Sequence, residues 1–424
     1  MIRRDAYLNR MVRAMWNGEI KVITGIRRCG KSVLLFELFY DYLLQQGVPD
    51  SQIIRIELDQ RRNYKYRNPI TLCDSVEKIV QADKGGQYYL FIDEVQMTNK
   101  VKDKENGNLE VTIYDMLNEL KSYKNLDVYV TGSNSRGLSS DIATEFRGRA
   151  TQIHVYPLSF MEYYSYTGGD ERKALDAYML YGGLPRVLFL ADDREKKEYL
   201  SSLYGELYIR DIVERNRIER EDILNHILDY LASQVGSLTN PTNIANALTS
   251  MKNEKINAGL VTKYVQHTVD SFLISMAKRY DIKGKTYFNY PNKYYYTDLG
   301  LRNARLNYRQ YDPGHLMENL LYNELIRRGY SVDIGVVTDR TGGQNVQKEI
   351  DFVVNDADRK LYIQSAFRMD TEQKTSAETE SLLLTKDFFK KIVMRMDIPH
   401  NYYDENGIFH CNLIDFLLGR VELF

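Results

Sequence analysis

Runs of hydrophobic residues alternate with amphipathic stretches along the first third of the chain. Lys21–Thr24 is a short apolar run ending at a glycine, and Ser32–Leu44 repeats its apolar residues at helical spacing. Ile53–Leu58 reads as a strand and Leu72–Ala82 as a helix. Tyr88–Ile92 (YYLFI) and Leu126–Thr131 (LDVYVT) are continuous apolar runs of strand length, the mark of strands buried on both faces. Val111–Ser122 predicts a helix between them, and Gln152–Tyr156 predicts one more strand. Strands separated by helices need crossover connections, so this region is predicted to be α/β with a parallel sheet. The polar stretch Asn99–Asn108 predicts a surface loop inside it.

The pattern then changes. From Leu158 to Val235 helix follows helix. Leu238–Thr297 reads as helices and then two short strands, Lys285–Asn289 and Tyr294–Thr297. His315–Arg328 predicts a helix, followed by strands at Val332–Val337, Glu349–Val354 and Leu361–Gln364. A helix and a last strand are expected to close the chain. No repeat and no low-complexity linker interrupts the 424 residues.

Composition narrows the class. Hydrophobic residues are 43% and charged residues 27%, as in folded globular proteins, which excludes a mostly disordered chain. Lys and Arg number 57 against 58 Asp and Glu, so any basic surface for nucleic acid must be local. Cys29, Cys73 and Cys411 are odd in number and far apart, which argues against a disulfide framework or a structural zinc and fits a reducing cytosol. No apolar run approaches the roughly 18 residues that span a bilayer, and the start lacks a secretory apolar core. A cytoplasmic protein without membrane contact is expected. The 34 tyrosines against 15 phenylalanines read as compositional bias in a packed helical protein rather than as stacking surfaces.

The chemistry concentrates in Gly25-Ile26-Arg27-Arg28-Cys29-Gly30-Lys31-Ser32, a full GxxxxGKS Walker A sequence followed by Val33. Glycines let such a loop wrap a phosphate with backbone N–H groups, and the following helix points its positive end at the same anion. Lys31 is predicted to reach the β and γ phosphates, and the Ser32 hydroxyl to ligate Mg²⁺. Leu90-Phe91-Ile92-Asp93-Glu94 is a Walker B strand ending in two carboxylates. Asp93 is expected in the Mg²⁺ shell and Glu94 as the base that polarises the attacking water. The strand Val128–Thr131 ends in Gly132-Ser133-Asn134-Ser135, where Asn134, with Ser133 and Thr131 behind it, is the expected sensor of the phosphates. A capped helix start is the plainer alternative there. Arg147 and Arg149, in Glu145-Phe146-Arg147-Gly148-Arg149, are candidates for an arginine finger reaching a neighbouring subunit's nucleotide, against the alternative of a solvated pair.

Together these motifs resemble a family of prokaryotic predicted ATPases of the AAA+ superfamily, with Glu94 beside Asp93 as in the ASCE division. The resemblance runs through Ile23–Leu35, Leu90–Gln96, Tyr129–Ser135, Phe146–Arg149, Tyr156–Tyr164, Tyr181–Leu188 and Leu207–Arg215. It implies a P-loop core over 1–157, a helical lid over 158–235, a winged helix over 236–305 and a PD-(D/E)xK nuclease-like fold over 306–424. Gly183-Leu184-Pro185 looks like the GxP element of STAND signalling ATPases, which would put Pro185 and Arg186 near the nucleotide; an ordinary turn is the alternative. The basic segment with Arg3, Arg4, Arg10, Arg13, Lys21, Arg27, Arg28 and Lys31 is expected to approach the base, with a DNA-facing patch as the alternative.

Two further surfaces bear on partners. Val261–Ala277 would be a recognition helix offering Lys263, Gln266 and His267 to DNA. Arg61, Arg62, Tyr64, Lys65, Tyr66 and Arg67 interleave basic and aromatic side chains, suited to phosphate contact or to a solvated loop. In the nuclease-like region Glu318 and the pair Glu349 and Asp351 fit the acidic pattern and Gln364 the first position of the E/QxK step, but Ala366 stands where the lysine belongs. A binding role is therefore expected over cleavage. The reading is an ATP-binding, Mg²⁺-dependent ATPase that engages DNA or a protein, with a homo-oligomer possible. A slow STAND-like switch is the alternative, and an active nuclease a weaker third. Cys29, inside the loop, is expected to be a thiol whose alkylation blocks nucleotide.

Overall fold

A computed structural model describes residues 2–104, 107–132, 150–339 and 345–424, apart from the side chain of Leu207. The chain divides by compactness into Met1–Tyr156 with Asp270–Phe272, and Pro157–Val269 with Leu273–Phe424.

The first unit is built on five strands: β1 (Ile20–Thr24), β2 (Ile53–Glu57), β3 (Tyr88–Asp93), β4 (Leu126–Thr131) and β5 (Ala150–His154). Their order is β2-β3-β4-β1-β5, and every pairing is parallel. The central strands β1, β3 and β4 are buried at every position, as continuous apolar runs require. The predicted helix after the P-loop is present as Lys31–Val33, a π-helical stretch Leu34–Phe39, and Tyr40–Gln45. The helix predicted from Leu72 begins at Pro69, where Asn68 caps the N–H groups of Ile70 and Thr71. The stretch expected to be a loop holds a short strand, Val101–Asp103, which pairs antiparallel with Leu109–Val111 just beyond it. A helix over Ile113–Leu120 follows, opened by a Thr112–Asp115 capping box.

Lys21 corrects the reading of a basic N-terminal surface. Its side chain is fully buried in β1 and hydrogen-bonds Asp127 of β4, which also accepts from Tyr129 OH at 2.9 Å. An ammonium inside a sheet needs a paired carboxylate, so this residue belongs to the core.

In the second unit helices run from Phe160–Thr167 through α1 (Glu221–Ser233), α2 (Pro241–Lys252) and α3 (Ala258–Asp270). β6 (Ile274–Ala277) pairs antiparallel with β9 (Lys293–Tyr296). Between them lie β7 (Arg279–Asp281) and β8 (Thr286–Tyr287); the strand expected over Lys285–Asn289 is only these two residues of β8.

An eight-stranded mixed sheet completes the unit. Its further strands are β10 (Ser331–Asp339), β11 (Val346–Asp356), β12 (Arg359–Ala366), β13 (Lys390–Arg395), β14 (Tyr402–Tyr403) and β15 (Phe409–Asn412). They are ordered β8-β7-β10-β11-β12-β13-β15-β14. The helix α4 (Pro313–Arg327) precedes β10, and α5 (Glu372–Leu383) connects β12 to β13, which run parallel. A short helix, Leu413–Leu417, follows the last strand, where a strand was expected to end the chain. One apolar core joins Phe160 and Leu175 from the helical region to Leu316, Phe352 and Met394 of the sheet region. Among the described residues no helix is long and apolar enough to cross a membrane.

Candidate nucleotide-binding site

The Walker A loop leaves β1 at Gly25 and enters its helix at Lys31. Gly25 has φ 144° and Gly30 φ 99°, backbone conformations that glycine adopts without steric cost. A Cβ at Gly25 would come within 2.2 Å of the Val155 carbonyl oxygen, so the close approach of two backbones also demands glycine. Ile26 and Cys29 are buried beneath the loop, while Arg28 and Val33 are exposed. Arg4 fastens the loop from outside: its guanidinium donates to the Cys29 carbonyl at 3.1 Å and to the Tyr156 carbonyl at 2.8 Å. This anchoring went unread in the sequence, where Arg4 counted only as one charge of a basic segment. Cys29 is fully buried, and its Sγ donates to the Val155 carbonyl at 3.3 Å. Burial works against alkylation of this thiol in the folded chain, so its expected effect on nucleotide remains to be tested with ATP protection.

Lys31 folds back on the loop, with Nζ donating to the carbonyls of Gly25 at 3.0 Å and Ile26 at 2.9 Å. Ser32 Oγ donates to Asp93 Oδ2 at 2.8 Å. Thr131 Oγ1 donates to the other oxygen, Asp93 Oδ1, and accepts from the Glu94 N–H at 3.2 Å. Walker A, Walker B and the end of β4 thus meet at one carboxylate. Burial raises the Asp93 pKa, against the lowering effect of the Thr131 and Ser32 hydrogen bonds. A buried carboxylate held up by desolvation beside a serine hydroxyl is a donor set that suits a small hard cation. Glu94 follows in a left-handed conformation, φ 53°, which costs a non-glycine residue about 1 kcal/mol or more. Gln96 Nε2 donates to Glu94 Oε2.

His154, at the end of β5, was not singled out by the sequence. Its Nδ1 lies 3.1 Å from Thr24 Oγ1. Burial, then the charges of Lys31 and Arg10, hold its pKa down to about 4. Ser133, Asn134, Arg147 and Arg149 lie outside the described residues, so the sensor and finger assignments stand as read from the sequence.

Pro185, Arg186, Lys263, Gln266 and His267 lie in the second unit. Pro185 opens the short helix Pro185–Phe189, and Arg186 is exposed. The preceding glycines are fixed locally. Gly183 N donates to Asp298 Oδ2 at 2.7 Å, and a Cβ on Gly183 would come within 2.4 Å of the Leu158 carbonyl. Burial lifts the Asp298 carboxyl to about 6 despite these backbone donors. Lys263 and Gln266 are exposed on α3, and His267 is half-buried. A cavity of about 460 Å³ opens between α3 and the β6–β9 segment, lined by Thr262, Gln266, Lys278, Tyr290 and Asn292 among others. The basic-aromatic cluster of the first unit forms the helical turns Arg61–Arg67. There Arg67 Nε donates to the Leu58 carbonyl at 2.9 Å and its guanidinium lies over the Tyr64 ring.

Residues 17–164 match the AAA domain model, and residues 172–312 match a domain of unknown function. A Haemophilus influenzae protein described as uncharacterized is 34% identical over 99% of both chains. An uncharacterized Methanocaldococcus jannaschii protein is 27% identical over 74% of this chain and 67% of its own. Among solved structures, a Walker-type ATPase of Pyrococcus abyssi aligns with 72% of this chain and 96% of its own, at 15% identity and a TM-score of 0.48. Residues 17–164 are thus an AAA domain, and the chain belongs to the family of the H. influenzae protein.

Proposed function

We propose that the chain hydrolyses ATP with Mg²⁺ and uses the cycle to engage a macromolecular partner. The observation that carries this is the convergence of Ser32 and Thr131 on Asp93. Ser32 and Asp93 would hold the cation, which when bound would neutralise charge on the β and γ phosphates. Lys31 would leave the carbonyls of Gly25 and Ile26 for those phosphates, whose charge offers a stronger partner. Glu94 would take the proton of the attacking water as oxygen bonds to the γ phosphorus and the bond to the bridging oxygen breaks, releasing ADP. Asn134 would monitor the γ phosphate, and Arg149 or Arg147 would reach a nucleotide in a neighbouring copy.

In the second unit α1, α2 and α3 followed by the antiparallel pair β6–β9 support the winged-helix reading, with Lys263 and Gln266 on an exposed face. The succession α4, β10, β11, β12, α5, β13 supports the nuclease-like reading. DNA is the first partner to test, through α3 or the Arg61–Arg67 turns. The hydrogen bond from Gln96 to Glu94 favours a second reading, a slowly hydrolysing switch whose base is restrained until a partner binds.

Steady-state ATP hydrolysis of the wild type beside Glu94→Gln, with and without duplex and single-stranded DNA, tests the proposal. Turnover lost in the mutant and raised by DNA supports a DNA-dependent ATPase. Slow turnover indifferent to DNA supports the switch with a protein partner. Turnover equal in both proteins overturns the site.

A further inference from the structure

A second cluster of charge lies far from the P-loop in sequence. Lys293, on β9, is 3% exposed. Its Nζ lies 2.8 Å from Glu318 Oε1, 2.7 Å from Glu349 Oε1 and 3.5 Å from Asp351 Oδ1. Glu318 comes from α4, and the other two carboxylates come from β11. The group is tightly built. Tyr295 OH donates to Glu318 Oε1 at 2.6 Å, and Asp351 Oδ2 accepts from the Ser365 N–H at 2.8 Å. Gln364 Oε1 accepts from the Asp351 N–H at 3.3 Å, and its Nε2 donates to Glu378 at 3.0 Å.

A nuclease-like fold implies a divalent metal among Glu318, Asp351 and Gln364. The residues do not fit one. Oxygen ligands converge on Mg²⁺ or Ca²⁺ at about 2.0–2.6 Å. Here the carboxylates converge instead on a nitrogen at hydrogen-bond distances. Among the described residues, the three-residue group whose ligand atoms all lie within 4.8 Å of one another is Cys73, Glu77 and Glu119, so the carboxylates around Lys293 are spread wider than that. The side chain of Gln364 is also occupied at both ends, by the Asp351 N–H and Glu378. Ala366 completes the disagreement, since β12 carries no lysine there.

We infer that the Lys293 ammonium stands in the place of the divalent cation, making this centre a metal-free lock that ties β9 to α4 and β11. Charge balance favours it. Burial pushes the ammonium toward neutrality, but Glu318, Asp351 and Glu349 together outweigh burial and hold it charged. Removing the ammonium leaves acidic oxygens that another cation or added protons must satisfy. The inference stands apart from the ATPase proposal, because no residue of the P-loop takes part.

Mn²⁺ titration followed by electron paramagnetic resonance tests it, with Asp93→Asn in every protein so that the P-loop takes up no metal. The parent is expected to bind no Mn²⁺ at this centre. Lys293→Met is expected to bind one ion with a dissociation constant of about 10⁻³ M or tighter, lost again when Glu318→Gln is added. Circular dichroism and the thermal midpoint verify the fold. Mn²⁺ uptake by the parent that Asp351→Asn abolishes would overturn the inference. So would a folded Lys293→Met protein that binds none. Should Lys293→Met fail to fold, the parent titration decides alone, absence of uptake supporting the lock. Metal-dependent DNA cutting by the wild type that Asp351→Ala removes would overturn it independently.

Discussion

Ser32 Oγ and Asp93 Oδ2, 61 residues apart in sequence, are joined by a 2.8 Å hydrogen bond. The two residues expected to share Mg²⁺ therefore already meet. Ser32→Ala is predicted to weaken Mg²⁺–ATP binding by about 10–100-fold, the loss expected for one hydrogen-bonding partner of a charged group. Binding measured in EDTA should change far less. Titration calorimetry under both conditions checks this, and equal losses in both would point to a damaged loop instead.

Lys31→Ala is predicted to abolish tight ATP binding, because its ammonium sits over the loop within reach of the phosphate cradle. Glu94→Gln should leave affinity nearly unchanged and lower turnover by about 10²–10⁴-fold, the range for losing a general base. Separating the two effects needs affinity and single-turnover rates on the same preparations. A Glu94→Gln protein that binds ATP poorly would refute the assignment of Glu94 to chemistry.

Gln96→Ala distinguishes motor from switch. If the Gln96 amide restrains Glu94, its removal should raise basal turnover several-fold with KM unchanged. A fall in turnover would mean that Gln96 orients the base instead.

The parts that the sequence announced share a property: their signal is local. β3 and β4 are continuous apolar runs because both faces are covered, and β4 spans the predicted Leu126–Thr131. The P-loop has its own spacing rule, and its glycines sit where positive φ is needed. What escaped depends on partners distant in the chain. Lys293 finds Glu318 and Asp351 at separations of 25 and 58 residues. Its one local sign is a lone ammonium in the otherwise aromatic run Lys293–Tyr296. Arg4 reaches Tyr156 across 152 positions. The paired strands Val101–Asp103 and Leu109–Val111 were hidden because three residues are too few to show an alternating pattern.

Lys21 and Asp127 form an ion pair that is 0% and 4% exposed. Burial lowers the Lys21 pKa, and Asp127 opposes that fall. Asp127→Asn strands the ammonium and should destabilise the fold by about 3–5 kcal/mol. Lys21→Met with Asp127→Leu should recover much of that loss, because a buried pair of apolar groups carries no desolvation cost. Urea denaturation of the single and double variants measures both. A double variant no more stable than Asp127→Asn would assign the loss to packing around Tyr129 rather than to charge.

His154 makes the site sensitive to pH and to nucleotide. An unfolded histidine titrates near 6.5, whereas burial and the nearby Lys31 and Arg10 charges hold His154 down to about 4. Between those values the unfolded chain binds more protons than the folded one. The stability contributed by the neutral ring is therefore complete above pH 6.5 and is lost as pH falls toward 4. His154→Gln should flatten that part of the stability profile in denaturation measured at stepped pH. Nucleotide should also act on the ring itself. A triphosphate paired with Lys31 removes part of the positive field at His154, so its pKa should rise when ATP binds. Nuclear magnetic resonance titration of the ring with and without ATP reads the shift. An unmoved pKa at saturating ATP would mean that the phosphates do not reach Lys31, and would count against the P-loop assignment itself.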